Sequence, residues 1–183
     1  MNIAAFNVAM LAKQGWRILS EPDSLLTRTL KARYFPRGSF FEATKSYCPS
    51  FSWQNIISAR DVLKKGLSWR VGNGDSIRIW QDRWLPDDTN FLFPLSRQVV
   101  DLDQPVNSLM NDDRSAWKVS TILRTFPNQI ARQILAIPLS VRRIEDSWRW
   151  HFTKSGFFSV KSTYHLACNL SQYTLHQGPS FGT

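Results

Sequence analysis

Five groups of residues in this sequence have types and spacings that could do chemistry. Two are acid pairs, Asp87-Asp88 after Trp-Leu-Pro and Asp112-Asp113 ahead of a helical pattern. Clustered carboxylates hold the two metal ions of polymerases and nucleases. Neither pair follows an aromatic residue inside a hairpin, as such a site would require. The first reads as a turn, and the second as a helix cap whose charge suits the helix dipole. The third group is His165 with Cys168, three apart on a predicted helix. A zinc site takes four ligands, usually in two close pairs. No second pair exists: His151 is alone and Cys48 is remote, so a surface histidine and a buried thiol are expected. No nucleophile elbow and no Cys-His signature occurs.

The fourth group is the stretch WRVGNGDSIRIWQDRWLP, Trp69 to Pro86. A phosphate-cradling loop needs glycines whose backbone approaches the anion and a helix that begins at once after them. GNGDS is followed by SIRIW, which alternates like a strand, so the required helix is missing. Trp69 and Val71 before the loop, and Ile77 and Ile79 after it, point to a β-hairpin, with Asn73 and Gly74 supplying the positive φ of its turn. The fifth group is arginine and lysine interleaved with aromatics, in WRVGNGDSIRIW, KARYFPRGSFF and DSWRWHF. Aromatic faces stack on unpaired bases while basic side chains hold phosphates. The competing explanation is a strand with one core face and one wet face. It is preferred for Trp53, Trp69, Trp117 and Trp148, whereas Trp80, Trp84 and Trp150 fit either.

The elements that must position these groups follow from periodicity. Helical spacing is expected over Ile3 to Leu19, with Ala4, Val8, Leu11, Ile18 and Leu19 inward and Phe6 and Met10 flanking them. A second helix covers Ser24 to Tyr34, with Leu25, Leu26 and Leu30 on one side, and stops before Pro36 and Gly38. A third spans Ser52 to Leu63, with Trp53, Ile56, Ile57 and Val62 inward, Arg60, Lys64 and Lys65 outward, and Gly66 as its stop. Residues 87–113 read as loop with a short strand at Gln98 to Leu102. Helices near Ser115 to Thr125 and Asn128 to Ile137 come next, the latter ended by Pro138. A second hairpin, with strands at Ser147 to Phe152 and Phe157 to Val160, leads into a helix from Lys161. The tail at 171–183 is polar and expected to be unstructured. The fold class is therefore α+β, in five stretches: a helical 1–66, a Trp-rich hairpin 67–86, a loop-rich 87–113, a helix pair with hairpin and helix over 114–170, and the tail. There is no internal repeat, but the two Trp-rich hairpins echo each other.

The chain has 183 residues, enough for one domain with a core, and no apolar run near the ~18 residues of a membrane helix. Its 23 Lys and Arg against 14 Asp and Glu give a formal charge of +9, which favours polyanionic partners. The excess is uneven. Residues 1–86 hold 13 basic and 6 acidic side chains, and residues 87–183 hold 10 and 8, so an electrostatic footprint belongs in the first half. Two lone cysteines without a secretory segment suit a reducing intracellular setting. The acid-free start MNIAAFNVAMLAKQGWRILS is similar to a mitochondrial presequence, although the helix described above accounts for the same residues.

Taken in order, Phe6-Asn7 through LAKQGWRIL, the basic helix ending KARYFPRGSF, and PSFSWQNIISARDVLKKGLSWRVGNGDSIRIWQDRWLP carry a resemblance that continues through ILAIPLS to DSWRWHFTKSGFFSVKSTYHLA. Together they resemble the LINE-type, non-LTR retrotransposon polyproteins of plants, from Asn2 to about Ala167. The LAKQGWR and WRVGNGDSIRIWQDRWLP blocks are the specific ones. In that family this region lies between the reverse transcriptase core, near the end of its thumb, and the zinc-binding and RNase H modules. The resemblance therefore implies a parent RNA-directed DNA polymerase whose catalytic aspartates, zinc ligands and RNase H carboxylates have no counterparts here. It makes GNGDS a family signature, and the presequence-like start the remains of a longer helical domain entered at an internal methionine.

The expectation is a non-catalytic fragment, with no catalytic residue, metal or cofactor, that keeps weak affinity for RNA or single-stranded DNA. The candidate phosphate contacts are Lys13, Arg17, Lys31, Arg33, Arg37, Arg70, Arg78 and Arg83, with Trp80 and Trp84 as candidate base-stacking residues. The alternative is a protein-interaction fragment or inert relic: helix faces that once packed on a polymerase palm would be exposed and would drive self-association.

Overall fold

The computed structural model describes residues 2–43, 49–86, 101–140, 142 and 144–176. Along the chain run α1 (Ile3–Ser20), α2 (Leu25–Tyr34), α3 (Phe51–Ser58), α4 (Arg60–Gly66) and β1 (Leu67–Arg70). A 3-10 turn (Val106–Leu109), α5 (Val119–Thr125), α6 (Asn128–Leu135), β2 (Ser147–Trp150) and α7 (Val160–His176) follow. The class is α+β as expected, and no described helix is long and apolar enough to cross a membrane. The chain forms two compact units, Met1–Leu67 with Trp150–Thr183, and Ser68–Arg149.

The first unit is helical. Its first three helices begin at side-chain caps: Asn2, Ser24 and Ser50 each accept a hydrogen bond from the backbone N–H three residues on. The buried face of α1 is Ala5, Ala9, Ala12, Gly15 and Ile18; of the expected stripe Ile18 is buried, Val8, Leu11 and Leu19 are half-buried and Ala4 is exposed. Small residues face inward because α1 lies against α3, α4 and α7, and close approach leaves no room for larger ones. A Cβ on Gly15 would run into Leu63 Cδ1 and sit 3.3 Å from the Phe40 ring. Conversely Ile3, Phe6 and Met10 are exposed, and in α2 Leu25 is exposed while Thr27 and Tyr34 are buried.

The predicted third helix breaks at Ala59 into α3 and α4. Trp53, Ile56, Ile57 and Val62 are buried as expected. Trp53 is fully buried, stacked on Tyr34 at 4.5 Å and Phe35 at 5.7 Å, with Phe40 edge-on. Arg60 does not point outward: its guanidinium donates to the carbonyls of Phe41 at 2.8 Å and Ala43 at 2.7 Å, fixing the loop that carries Phe40. Gly66 ends α4, though its small size matters more than its backbone freedom. A Cβ there would penetrate the ring of Trp150, which is fully buried and donates through Nε1 to Ser162 Oγ at 2.8 Å.

The second unit has its own core of Ile77, Ile79, Leu85, Leu109, Ile122 and Ile134, among others, with α5 packed on α6. Neither expected hairpin forms. The strand echo resolves differently: β1 pairs with β2, so the two Trp-Arg segments join each other and neither folds back on itself. The second arm of the expected first hairpin turns to residues 104–107 instead. Ile79 N–H donates to the Gln104 carbonyl at 2.9 Å, Val106 N–H to Ile77 at 2.9 Å, and Arg78 bridges Pro105. After β2 the chain turns through Thr153 to Gly156, whose φ of +76° makes that turn.

Asp112 and Asp113 are exposed in a turn well ahead of α5, whose N-cap is Lys118, so they cap no helix. The turn is closed by Asn111, whose Oδ1 accepts from the N–H groups of Ser115 and Ala116. Of the expected strand at Gln98 to Leu102, Asp101 and Leu102 are not in a strand and the rest lies outside the described residues, as do Cys48 and Asp87-Asp88. α7 continues to His176, through the first residues of the tail expected to be unstructured; the remainder of that tail is likewise outside the described residues.

Candidate functional site

The second unit places several of the chemistry-bearing residues around one feature, the loop at 72–76. Its backbone N–H groups converge on an anion after all, and that anion is internal. Gly72 N–H donates to Asp146 Oδ1 at 2.7 Å, Gly74 N–H to the same oxygen at 2.9 Å, and Ser76 N–H to Oδ2 at 2.9 Å. Successive N–H groups curled round an anion form the kind of concavity that binds phosphate elsewhere. Here a carboxylate seventy residues downstream fills it, which is why no hairpin turn forms. Gly74 has the expected positive φ, +74°, but Asn73 does not. Asn73 instead donates through Nδ2 to Asp75 Oδ2 at 2.8 Å. Both glycines are also required by contact: a Cβ on Gly72 would strike the Ile144 carbonyl, and one on Gly74 would lie 2.7 Å from Asn107 N.

Asp75 ties the outside of the loop. It accepts from Arg114 at 2.7 Å and from Asn107 Nδ2 at 2.6 Å. The Arg114 bond, reinforced by Asn107, holds the Asp75 carboxyl below its usual range despite some desolvation. Arg114 has the positive φ, +57°, among non-glycine residues described, and its side-chain bond to Asp75 accompanies that backbone.

With the loop clamped, β1 and β2 align their Trp-Arg pairs. Trp69 stacks on Trp148 with ring centroids 3.8 Å apart, and Arg70 lies close enough to Arg149 for their charges to interact. Burial, and then the Arg70 charge, lower the Arg149 guanidinium from its ordinary value. Beside this pair lies a cavity of about 440 Å³ whose lining includes Trp69, Arg70, Trp84, Ile137, Ile144 and Arg149.

The candidate phosphate contacts are spread over both units. Lys13 on α1 is exposed, and Arg17 is drawn to Glu21 at 3.6 Å. Lys31, Arg33 and Arg37 are exposed on and after α2, with the Arg33 guanidinium 5.3 Å from the Tyr34 ring centre. In the second unit Arg70 is exposed, whereas Arg78 and Arg83 are half-buried. Arg78 lies 4.0 Å from Asp103, and the Arg83 carbonyl accepts from Trp69 N–H at 2.7 Å. Trp84 is no stacking platform: it is 3% exposed and its indole N–H donates to the Ile79 carbonyl at 3.1 Å. Trp80 is half-buried against Phe126 at 5.1 Å, and Trp150 belongs to the core.

His165 is exposed on α7 beside Tyr164, and Cys168 is half-buried. Among the described residues no group of three or more His, Cys, Asp or Glu is placed to hold a metal ion. Sequence reasoning missed Asp146 and Arg149. The signal for Arg149 was the repeated Trp-Arg dipeptide, which deserved the weight given to Arg70; Asp146 left no signal beyond its position just ahead of that dipeptide.

Two proteins of Arabidopsis thaliana are similar to this chain. One, described as an uncharacterized mitochondrial protein, is 44% identical over 84 residues, which is 46% of this chain and 54% of that protein. The other, named "Putative ribonuclease H protein", is 29% identical over 175 residues, covering 88% of this chain and 27% of its own length. The chain thus spans about half the length of the first and about a quarter of the second. No family model matches it, and no solved structure does.

Proposed function

We propose that this chain is a non-catalytic segment derived from a LINE-type, non-LTR retrotransposon polyprotein of plants, corresponding to the connector between the reverse transcriptase core and the zinc-binding and RNase H modules. The observation that carries this reading is one of extent. Similarity to the protein named as a ribonuclease H runs along 88% of this chain yet occupies 27% of that protein, as a connector within a long polyprotein would. The LAKQGWR and WRVGNGDSIRIWQDRWLP blocks supply the specific resemblance. The segment's work in this reading is weak, sequence-tolerant binding of RNA or single-stranded DNA, for which the formal charge of +9 and the exposed Lys13, Lys31, Arg33, Arg37 and Arg70 are the support. Arg17, Arg78 and Arg83 add to the field, the first and second partly offset by Glu21 and Asp103.

Fluorescence anisotropy on a labelled single-stranded RNA and its duplex, across a salt series, tests the reading. The expected log-log slope on the single strand is about −0.7 per contacted phosphate, several units in total, and smaller when Lys31, Arg33 and Arg37 are changed to alanine. Absence of saturable binding at low salt, from a monomeric soluble protein, would refute it. A second reading, self-association through orphaned apolar faces, draws on exposed Ile3, Phe6 and Phe157 in the first unit. Sedimentation of the same preparation decides it: concentration-dependent association relieved by Phe6→Ser with Phe157→Ser is the expected result.

A further inference from the structure

The cavity beside the paired Trp-Arg segments lies wholly within the second unit and has a divided chemistry. Its walls are Trp69, Trp84, Ile137, Pro138 and Ile144, a surface suited to a flat apolar ring. Arg70 and Arg149 both line this cavity, and among the described lining residues Glu145, exposed, is the one acid. The volume of about 440 Å³ is within the ~300–1,000 Å³ range of small-ligand pockets.

Two details indicate what belongs there. Arg149 Nε and Trp69 Nε1 are buried and find no hydrogen-bond acceptor among the described residues, an expensive state for a buried donor. Arg70 is also near enough for its charge to act on Arg149, so an anion of more than one charge would meet both groups. Arginine prefers oxyanions that it can meet with two parallel N–H bonds, of which phosphate is the multiply charged member.

We infer that this cavity binds a nucleotide bearing a phosphomonoester, its base against Trp69 and the apolar wall and its phosphate on Arg70 and Arg149. Such a group comes from a free mononucleotide or from the phosphorylated end of a single strand. The inference rests on the proposed function for its choice of a nucleic-acid component and shares Arg70 with it, and it can fail separately.

The test compares 5′-phosphorylated and 5′-hydroxyl forms of one 3′-labelled DNA octamer, with adenosine monophosphate, adenosine and inorganic phosphate as competitors. The phosphorylated octamer should bind at least about fivefold more tightly, since one charge-assisted contact pair contributes over 1 kcal/mol. Adenosine monophosphate should compete where adenosine and phosphate do not. Arg149→Ala should remove the increment, and Ala136→Trp, an exposed lining position at the mouth, should remove it without touching a charge. If Arg149→Ala does not fold, Ala136→Trp decides. Octamers that bind alike with and without phosphate would overturn the cavity and leave general nucleic-acid binding standing. Direct binding of adenosine monophosphate in titration calorimetry, with no octamer binding, would keep the cavity for free nucleotides and overturn the general reading. No binding of any probe overturns both.

Discussion

If the Asp146 carboxylate organises the 72–76 loop, removing it should release three backbone donors at once. Hydrogen bonds to charged groups contribute about 1.5–3 kcal/mol each when well buried. Asp146 is half-buried, so the low end applies, and the three bonds at 2.7–2.9 Å are not independent because one loop makes them all. Asp146→Ala should therefore cost about 3 kcal/mol. Asp146→Asn keeps an oxygen for Gly72 and Gly74 but sets an amide N–H against Ser76, and should cost about 1.5–2 kcal/mol. Urea unfolding followed by tryptophan fluorescence reads the global effect, since Trp69, Trp80 and Trp84 all pack in or against this core. Amide hydrogen exchange reads the local one, with Gly72, Gly74 and Ser76 losing protection selectively. Continued protection of those three amides in Asp146→Ala, or a stability change below about 0.5 kcal/mol, would show that the loop holds itself and that the carboxylate is incidental.

Other consequences are open to equally direct measurement. Gly66→Ala places a methyl group inside the Trp150 ring position, and overpacking of that kind should cost about 1–3 kcal/mol in thermal or urea denaturation. Trp84→Ala should cost about 3–5 kcal/mol in urea denaturation as a core truncation, because the ring is buried among the apolar side chains of the second unit. Asp75 has a folded-state carboxyl below the ordinary 3.8, so its contribution is present above that pH and is lost as pH falls through the lower folded value. Acid unfolding below about 3.8 should accordingly be less steep in Asp75→Asn, whose stability at neutral pH is already reduced.

Much of the local structure was written in the sequence. The helix start at Ser24, the inward Trp53, Ile56 and Ile57, and the α+β class all follow from capping chemistry and apolar period, which act over a few residues, whereas the third helix starts at its Ser50 cap and not at the expected Ser52. The pairing of strands did not follow, because alternation tells which residues want a partner but not which partner they get. Trp69-Arg70 had Ile77 and Ile79 close by in the chain, yet its partner is Trp148-Arg149, since the intervening loop was already committed to Asp146 and Ile77 and Ile79 to residues 104–106. The same limit explains the site. Composition identified the arginines and tryptophans as a set. Only long-range contact could bury Trp84, turn Arg60 inward, or bring Arg149 beside Arg70, because burial and charge proximity are properties of the folded surface and have no local signature.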